Sequence, residues 1–354
     1  MIFVAALFVT LGAGVFVIKY HHVVFAGAID RHDYRAKQAS HVGEPLRFGG
    51  VAVFTGLVAS VAISPAGDDK ILFLLILLSA VPVVLIGLLE DMGHPMSPRR
   101  RLLAAAVSAT AAVALLGVWV PRADLPVFDW VMSFYIIAVG LTVLFSAGFC
   151  HAVNLIDGMN GLATVNVILS ALGLAVIANL AGHPAIAMFA LLVTTCLLGF
   201  LLLNWPSAMM FLGDAGAYGL GHLLTWVAVL LIARADEVAV PALILTLFWP
   251  LADVFHTIFR RLAANKAAFE PDRMHLHHKI RRLLDMVFFG YNARTKSNPM
   301  TTVLLAPFMA VPVVTGVLLY RQPDLAWVAL LLYILAFAIA HRVLPRIARQ
   351  FRKV

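Results

Sequence analysis

Three observations predict an all-α polytopic membrane protein with about eleven transmembrane helices. Of the 354 residues, 62% are hydrophobic and only 12% charged. The mean hydropathy is +0.95, whereas a soluble domain is nearer half apolar and a quarter charged. The apolar residues gather into eleven runs of the length that crosses a bilayer as a helix, roughly 17–25 residues. The basic residues are distributed very unevenly between the links that join those runs.

The runs fall at approximately 1–18, 48–66, 71–89, 102–120, 131–150, 163–181, 185–203, 217–233, 239–258, 300–320 and 325–343. The first begins without a basic lead-in, so it reads as a retained span and not a cleaved signal peptide. With the N-terminus outside, 22 of the 26 Lys and Arg fall on the inside: around Lys19–Arg47, at Arg99–Arg101, between Arg260 and Lys296, and in the tail from Arg342 to Lys353. Only Lys70, Arg122, Arg234 and Arg321 lie outside. The asymmetry predicts a periplasmic N-terminus and a cytoplasmic C-terminus. No repeat or linker divides the chain, which reads as one integral membrane domain over 1–354. The net charge of +8 reports topology and contact with anionic lipid, not nucleic acid. Cys150 and Cys196 sit in apolar runs and make neither a disulfide framework nor a thiolate metal site.

This topology puts five polar clusters on one face. The central one is His151-Ala-Val-Asn154-Leu-Ile-Asp157-Gly-Met-Asn160-Gly161, where a carboxylate at the edge of a hydrocarbon layer lacks any neighbouring Lys or Arg and needs a cation, metal or water. On a helix, Asp157 and Asn160 would share a face. The first loop holds His41, Arg47 and the pair Gly49-Gly50, which either opens a helix or lets backbone N–H groups approach an anion. Glu90-Asp91 ends the third run, where the helix dipole disfavours carboxylates. Arg99–Arg101 or a bound Mg²⁺ would compensate them, and Ser97-Pro98 reads as the cap and first turn of the next helix. Asn204 precedes Gly213-Asp214-Ala-Gly216, where Asp214 opens a helix; its glycines suit close helix packing better than a dinucleotide fold, since no βαβ unit is present. Arg273-Met-His275-Leu-His277-His278 would be weak as a zinc motif without cysteine, and its basic surroundings suit an anion such as pyrophosphate. Each cluster alone has a structural explanation; their convergence favours an active site. A transporter or lipid flippase, the reading of a different class, would carry ionisable groups near the midplane of its spans. Only Asp253 and His256 approach that description, and both lie toward the cytoplasmic end.

These motifs resemble the polyprenyl-phosphate N-acetylhexosamine-1-phosphate transferases, the MraY, WecA and TagO group of glycosyltransferase family 4. The resemblance rests on Arg35…Ser40-His41…Pro45-x-Arg47-x-Gly49-Gly50, the acidic pair at 90–91, Asn154-Leu-Ile-Asp157-Gly158, Phe211-Leu-Gly213-Asp214-x-Gly216 and Pro271-Asp272-Arg273-x-His275-x-His277-His278. The His-x-His-His form and eleven spans resemble the WecA/TagO branch more than MraY enzymes, which use a UDP-muramoyl-pentapeptide. What the resemblance implies is transfer of a sugar-1-phosphate from a UDP-N-acetylhexosamine, expected to be UDP-GlcNAc, to undecaprenyl phosphate. UMP is the by-product, the enzyme sits in a bacterial inner membrane, and the product initiates a surface polysaccharide. It further implies Mg²⁺ or Mn²⁺ on Asp214 and Asp157, with Asp91 and Glu90 positioning the acceptor phosphate or taking its residual proton. It places charge neutralisation by His277, His278 and Arg273, and substrate contacts from His41, Arg47, Asn154, Asn160, Asn204 and His275. Homodimers are common in the family. Two departures stand out. Glu90 replaces the usual aspartate, and Asn160 replaces the second aspartate of an Asp-Gly-x-Asp-Gly motif and so cannot act as an anionic nucleophile. A catalytically inactive relative is the reading that these departures would support.

Overall fold

The computed structural model describes residues 1–24, 46–265, 274–290 and 294–351. The regular elements among them are helices: α1 (Ile2–Val24), α2 (Gly49–Ala62), α3 (Asp68–Asp91), α4 (Pro98–Leu116), α5 (Pro126–Met132), α6 (Tyr135–Ile156), α7 (Leu162–Leu180), α8 (Pro184–Asn204), α9 (Gly213–Arg234), α10 (Val240–Thr246), α11 (Phe248–Ala263), α12 (Leu276–Leu284), α13 (Arg294–Leu318) and α14 (Pro323–Phe351). A π-helical turn, Asp285–Phe289, extends α12. The expected start of α4 is found: Pro98 stands in its first turn and the Ser97 hydroxyl accepts from Arg100 N–H at 3.3 Å.

Each predicted run lies on a helix, but not every helix can span. Eight of the described helices are long and apolar enough to cross a membrane, or nine if α10 and α11 count as one broken span; eleven is not reached. At 14 residues, α2 is about 21 Å long, short of a hydrocarbon core about 30 Å thick. Three arginines occupy the first turn of α4. The ninth run breaks at Leu247, where α11 turns 86° away from α10. On α11 the buried face is polar, with Asp253, Thr257 and Arg261, while Phe255, Phe259 and Leu262 point outward. Outward apolar and inward polar is the arrangement for a helix whose exterior is lipid and whose interior is a polar site.

Helix α9 is the axis of the bundle: the whole apolar window of its span is buried, and α2, α3, α6, α7 and α8 all pack on it. Its small residues permit this close approach. A side chain at Gly50 would place Cβ 2.3 Å from Gly216 N, and one at Gly87 would meet Ala215 N at 2.5 Å. Both obstacles are backbone and cannot yield. Gly50→Ala is therefore expected to cost at or beyond the upper end of the roughly 1–3 kcal/mol typical of overpacking, read as a lower thermal midpoint and loss of monodisperse protein in detergent.

Candidate active site

The N-terminus of α9 collects the polar residues. Gly213 has φ +72°, a left-handed conformation open to glycine, and a Cβ there would lie 1.8 Å from Arg47 O. This turn is locked to the start of α2: Phe211 N–H donates to Leu46 O at 2.8 Å, Gly49 N–H to Phe211 O at 2.9 Å and Gly50 N–H to Leu212 O at 2.7 Å. The Gly49-Gly50 amides are thus spent on the protein, so the pair is a packing element and not an anion cradle.

Four carboxylates and a guanidinium meet here. Asp214 Oδ1 accepts from the Arg47 guanidinium and from Asn154 Nδ2, each at 2.7 Å. Arg47 Nε lies 3.4 Å from Asp91 Oδ1. The carboxylates, Asp214 foremost and then Asp91, Asp157 and Glu90, hold Arg47 protonated against the opposing effect of burial, raising its pKa. Asp91 spends both oxygens on α9, accepting from Asp214 N–H and Ala215 N–H at 2.9 Å each. It caps that helix from another helix. Asp157 Oδ2 accepts from Gly213 N–H at 3.1 Å. Burial pushes the Asp157 carboxyl up to about 7, with Arg47 opposing and Asp214 reinforcing. Glu90 is buried and ion-paired with Arg101, so the Arg99–Arg101 run supplies its compensating cation.

Asp157 and Asn160 do not share a helix face. The α6 helix ends at Ile156 and α7 begins at Leu162, so both residues lie in the intervening turn. Asn160 is a brace: its N–H donates to Asn298 Oδ1 at 2.9 Å, its Nδ2 to Pro206 O at 2.6 Å, and its carbonyl accepts from Thr302 Oγ1 at 2.7 Å. An aspartate could not donate to Pro206 O, which gives this departure a physical reason. Asn204 is also committed, accepting from Thr164 Oγ1 at 2.7 Å and donating to Met210 O at 2.8 Å.

The histidine motif forms a second cluster. His275 Nδ1 donates to Asp253 Oδ2 at 2.8 Å, and the His277 and His278 rings lie 4.3 Å apart. All three are buried. Burial lowers His277 to about 4, Asp253 opposing, and lowers His278 to about 2. Burial therefore favours the neutral form of both rings near pH 7 in the free protein. An unfolded histidine titrates near 6.5. Between about pH 6.5 and 4 the unfolded chain holds the proton that His277 refuses, so the stability from this group is complete above 6.5 and is lost as pH falls toward 4. His277→Gln is expected to flatten the fall of the thermal midpoint across that window. His41 and Arg273 lie outside the described residues.

Residues 73–232 match the family described as Glycosyl transferase family 4. A probable undecaprenyl-phosphate N-acetylglucosaminyl 1-phosphate transferase of Bacillus subtilis is 30% identical over 66% of this chain and 65% of its own length, so the match spans just under two thirds of that relative. An undecaprenyl-phosphate alpha-N-acetylglucosaminyl 1-phosphate transferase of Yersinia pestis is 26% identical over 92% of this chain and 86% of its own length. The chain is similar to the polyprenyl-phosphate hexosamine-1-phosphate transferases. A phospho-N-acetylmuramoyl-pentapeptide-transferase of Streptococcus sanguinis is 25% identical over 76% of the chain and 84% of its own length. The span shared with the transferase family model runs from α3 to the end of α9. It contains the acidic cluster apart from Arg47, and the histidine cluster lies beyond it. The sequence does not mark His341, which lies 3.8 Å from Asp253 Oδ1. It stands in a long apolar helix next to a basic tail, and no local pattern marks it.

Proposed function

We propose that the chain transfers N-acetylhexosamine-1-phosphate from a UDP-sugar, UDP-GlcNAc in the first instance, to undecaprenyl phosphate. The products are undecaprenyl-pyrophosphoryl-sugar and UMP, and the reaction is the membrane step that starts a surface polysaccharide. The observation that carries this reading is Asp214 at the first turn of α9, held by Arg47 and Asn154 beside Asp157. The named activities of the Bacillus and Yersinia relatives support it.

The acceptor phosphate is mostly dianionic near neutral pH, its second pKa being about 6, so its oxygen can attack the sugar-bearing phosphorus of the donor directly. The P–O bond to the other phosphate breaks and UMP leaves with the bonding pair. The main obstacle is bringing two anions together. Arg47, held charged by its carboxylate neighbours, offsets part of that repulsion, and the neutral ring N–H groups of the histidine motif donate to the donor's phosphates. Asp91 holds the α9 terminus instead of taking a proton, because both of its oxygens are occupied by backbone donors. Among the described residues no group of three or more His, Cys, Asp or Glu could hold a metal ion by itself. Two hard carboxylates, Asp214 and Asp157, nonetheless fit Mg²⁺, which takes one or two protein carboxylates and completes its shell with phosphate oxygens and water. When bound, Mg²⁺ would supply charge neutralisation of the donor pyrophosphate.

The deciding experiment follows UMP release by purified protein in detergent with undecaprenyl phosphate, with and without Mg²⁺, across a panel of UDP-sugars. Release with UDP-GlcNAc is expected. The Streptococcus relative supports a second reading, and release only with UDP-muramoyl-pentapeptide would establish that one. Absence of UMP release with every donor would overturn both in favour of a transporter or an inactive relative. Direct attack predicts no phosphorylated aspartate after incubation with the UDP-sugar alone.

A further inference from the structure

Asp253 is a buried carboxylate on α11 around which three segments converge. Its Oδ2 accepts from His275 Nδ1 at 2.8 Å and lies 3.9 Å from His277 Nδ1. Its Oδ1 accepts from Leu276 N–H at 3.4 Å, at the start of α12, and lies 3.8 Å from His341 Nε2 on α14. Behind His341, Lys279 Nζ sits 2.9 Å from His341 Nδ1 and 3.0 Å from its carbonyl oxygen. The His256 ring packs against His341 at a centroid distance of 3.7 Å.

These contacts determine proton positions. A lysine ammonium can only donate, so His341 Nδ1 presents its lone pair to Lys279 and the ring proton sits on Nε2, the nitrogen nearest Asp253. An ionised Asp253 can only accept, so His275 carries a proton on Nδ1. The two ring nitrogens of His277 have no hydrogen-bond partner inside the protein. Buried polar atoms in native proteins are nearly always paired, so His277 is held ready for a partner that binds.

We infer that Asp253, with His341 and Lys279 behind it, is the positioning residue of the histidine motif, and that the last helix, α14, is thereby part of the donor side of the active site. Asp253 sets the tautomer of His275, pins the first turn of α12 and so presents His277 in one orientation. A carboxylate that orients a functional histidine typically accounts for about 10–100-fold in affinity or activity. The functional part of this inference rests on the proposed role of the histidine motif toward the UDP-sugar; the anchoring part does not.

The test uses the full chain in detergent, labelled with ¹⁵N-histidine, and the variants Asp253→Asn, His341→Leu and His341→Gln. Asn keeps the volume and one acceptor, and Gln keeps a donor and an acceptor where Leu keeps neither. The expected result is a single Nδ1-protonated tautomer for His275 in the wild type, mixed tautomers in Asp253→Asn, and kcat/KM for UDP-GlcNAc lower by about 10–100-fold in Asp253→Asn and His341→Leu. The KM for undecaprenyl phosphate should stay within about twofold, and His341→Gln should recover part of the loss. A merely structural role would lower kcat in proportion to the folded fraction, leave the KM of both substrates unchanged and vanish once rates are scaled to folded protein, and that outcome overturns the inference. An unchanged His275 tautomer in Asp253→Asn overturns it as well. Should the wild type release no UMP from any donor, the functional reading fails, and the tautomer spectra still decide the anchoring.

Discussion

Asp214→Asn is expected to lower UMP release by about a thousandfold and to abolish its dependence on Mg²⁺, while the purified variant keeps a near-native thermal midpoint. Asparagine has the volume of aspartate and retains an oxygen for the two donors that now converge on Asp214 Oδ1, from Arg47 and Asn154 at 2.7 Å each. The backbone N–H of residue 214 still reaches Asp91. The geometry of the turn therefore survives and the negative charge does not. That charge is the largest influence holding Arg47 protonated, and it is half of the pair proposed to take the metal. Loss of a single preorganised electrostatic contact at a phosphoryl centre costs about 10²–10³ in rate, and losing the ion's hold on the donor adds to this. The measurement is initial UMP release against MgCl₂ concentration for wild type and variant at matched folded fraction. A variant that keeps the wild-type half-saturation for Mg²⁺ would remove Asp214 from the metal assignment.

The membrane class, the positions of the long apolar helices and the convergence at one end of the bundle of residues 46–50, 90–101, 154–161 and 204–214 were legible in the sequence, because apolar length and charge asymmetry are strong, local signals; the short helices α5 and α12 were not. What escaped were the features decided by pairing across the bundle. Glycine spacing signalled close packing around α9 but not that Gly50 would meet Gly216, so the amides of Gly49-Gly50 could be read as an anion site. Asn160 looked like a lost catalytic carboxylate. Only the position of Pro206 O, 46 residues along the chain, shows that an amide donor is needed there. Hydropathy averages over a run and does not see that α2 stops after 14 residues or that the ninth run turns through 86°. His341 had no sequence signal, since its partners lie 62 and 88 residues away on other helices.

Asp91→Asn is expected to reduce both thermal stability and turnover, and the pairing of those two losses separates capping from base catalysis. Asp91 is the last residue of α3, where the helix dipole opposes a carboxylate. It is tolerated because the N-terminus of α9 meets it, and its two oxygens take the N–H groups of Asp214 and Ala215 at 2.9 Å. Asparagine has one acceptor oxygen and turns an NH₂ toward the other donor. One buried backbone N–H is then left unpaired, at a cost of about 1–3 kcal/mol, and the charge that complements the α9 terminus is gone. The first turn of α9 carries Asp214, so loosening it should raise the Mg²⁺ concentration needed for half-maximal rate. A capping residue takes no proton in the reaction, so the residual activity of Asp91→Asn should follow the same pH profile as wild type, scaled down. Proton abstraction by Asp91 makes the opposite forecast: an unchanged thermal midpoint, an unchanged Mg²⁺ requirement and a rate that no longer falls on acidification. Thermal melts, Mg²⁺ titrations and pH–rate profiles on one preparation distinguish the two, because a cap acts through the position of Asp214 and a base acts through its own protonation.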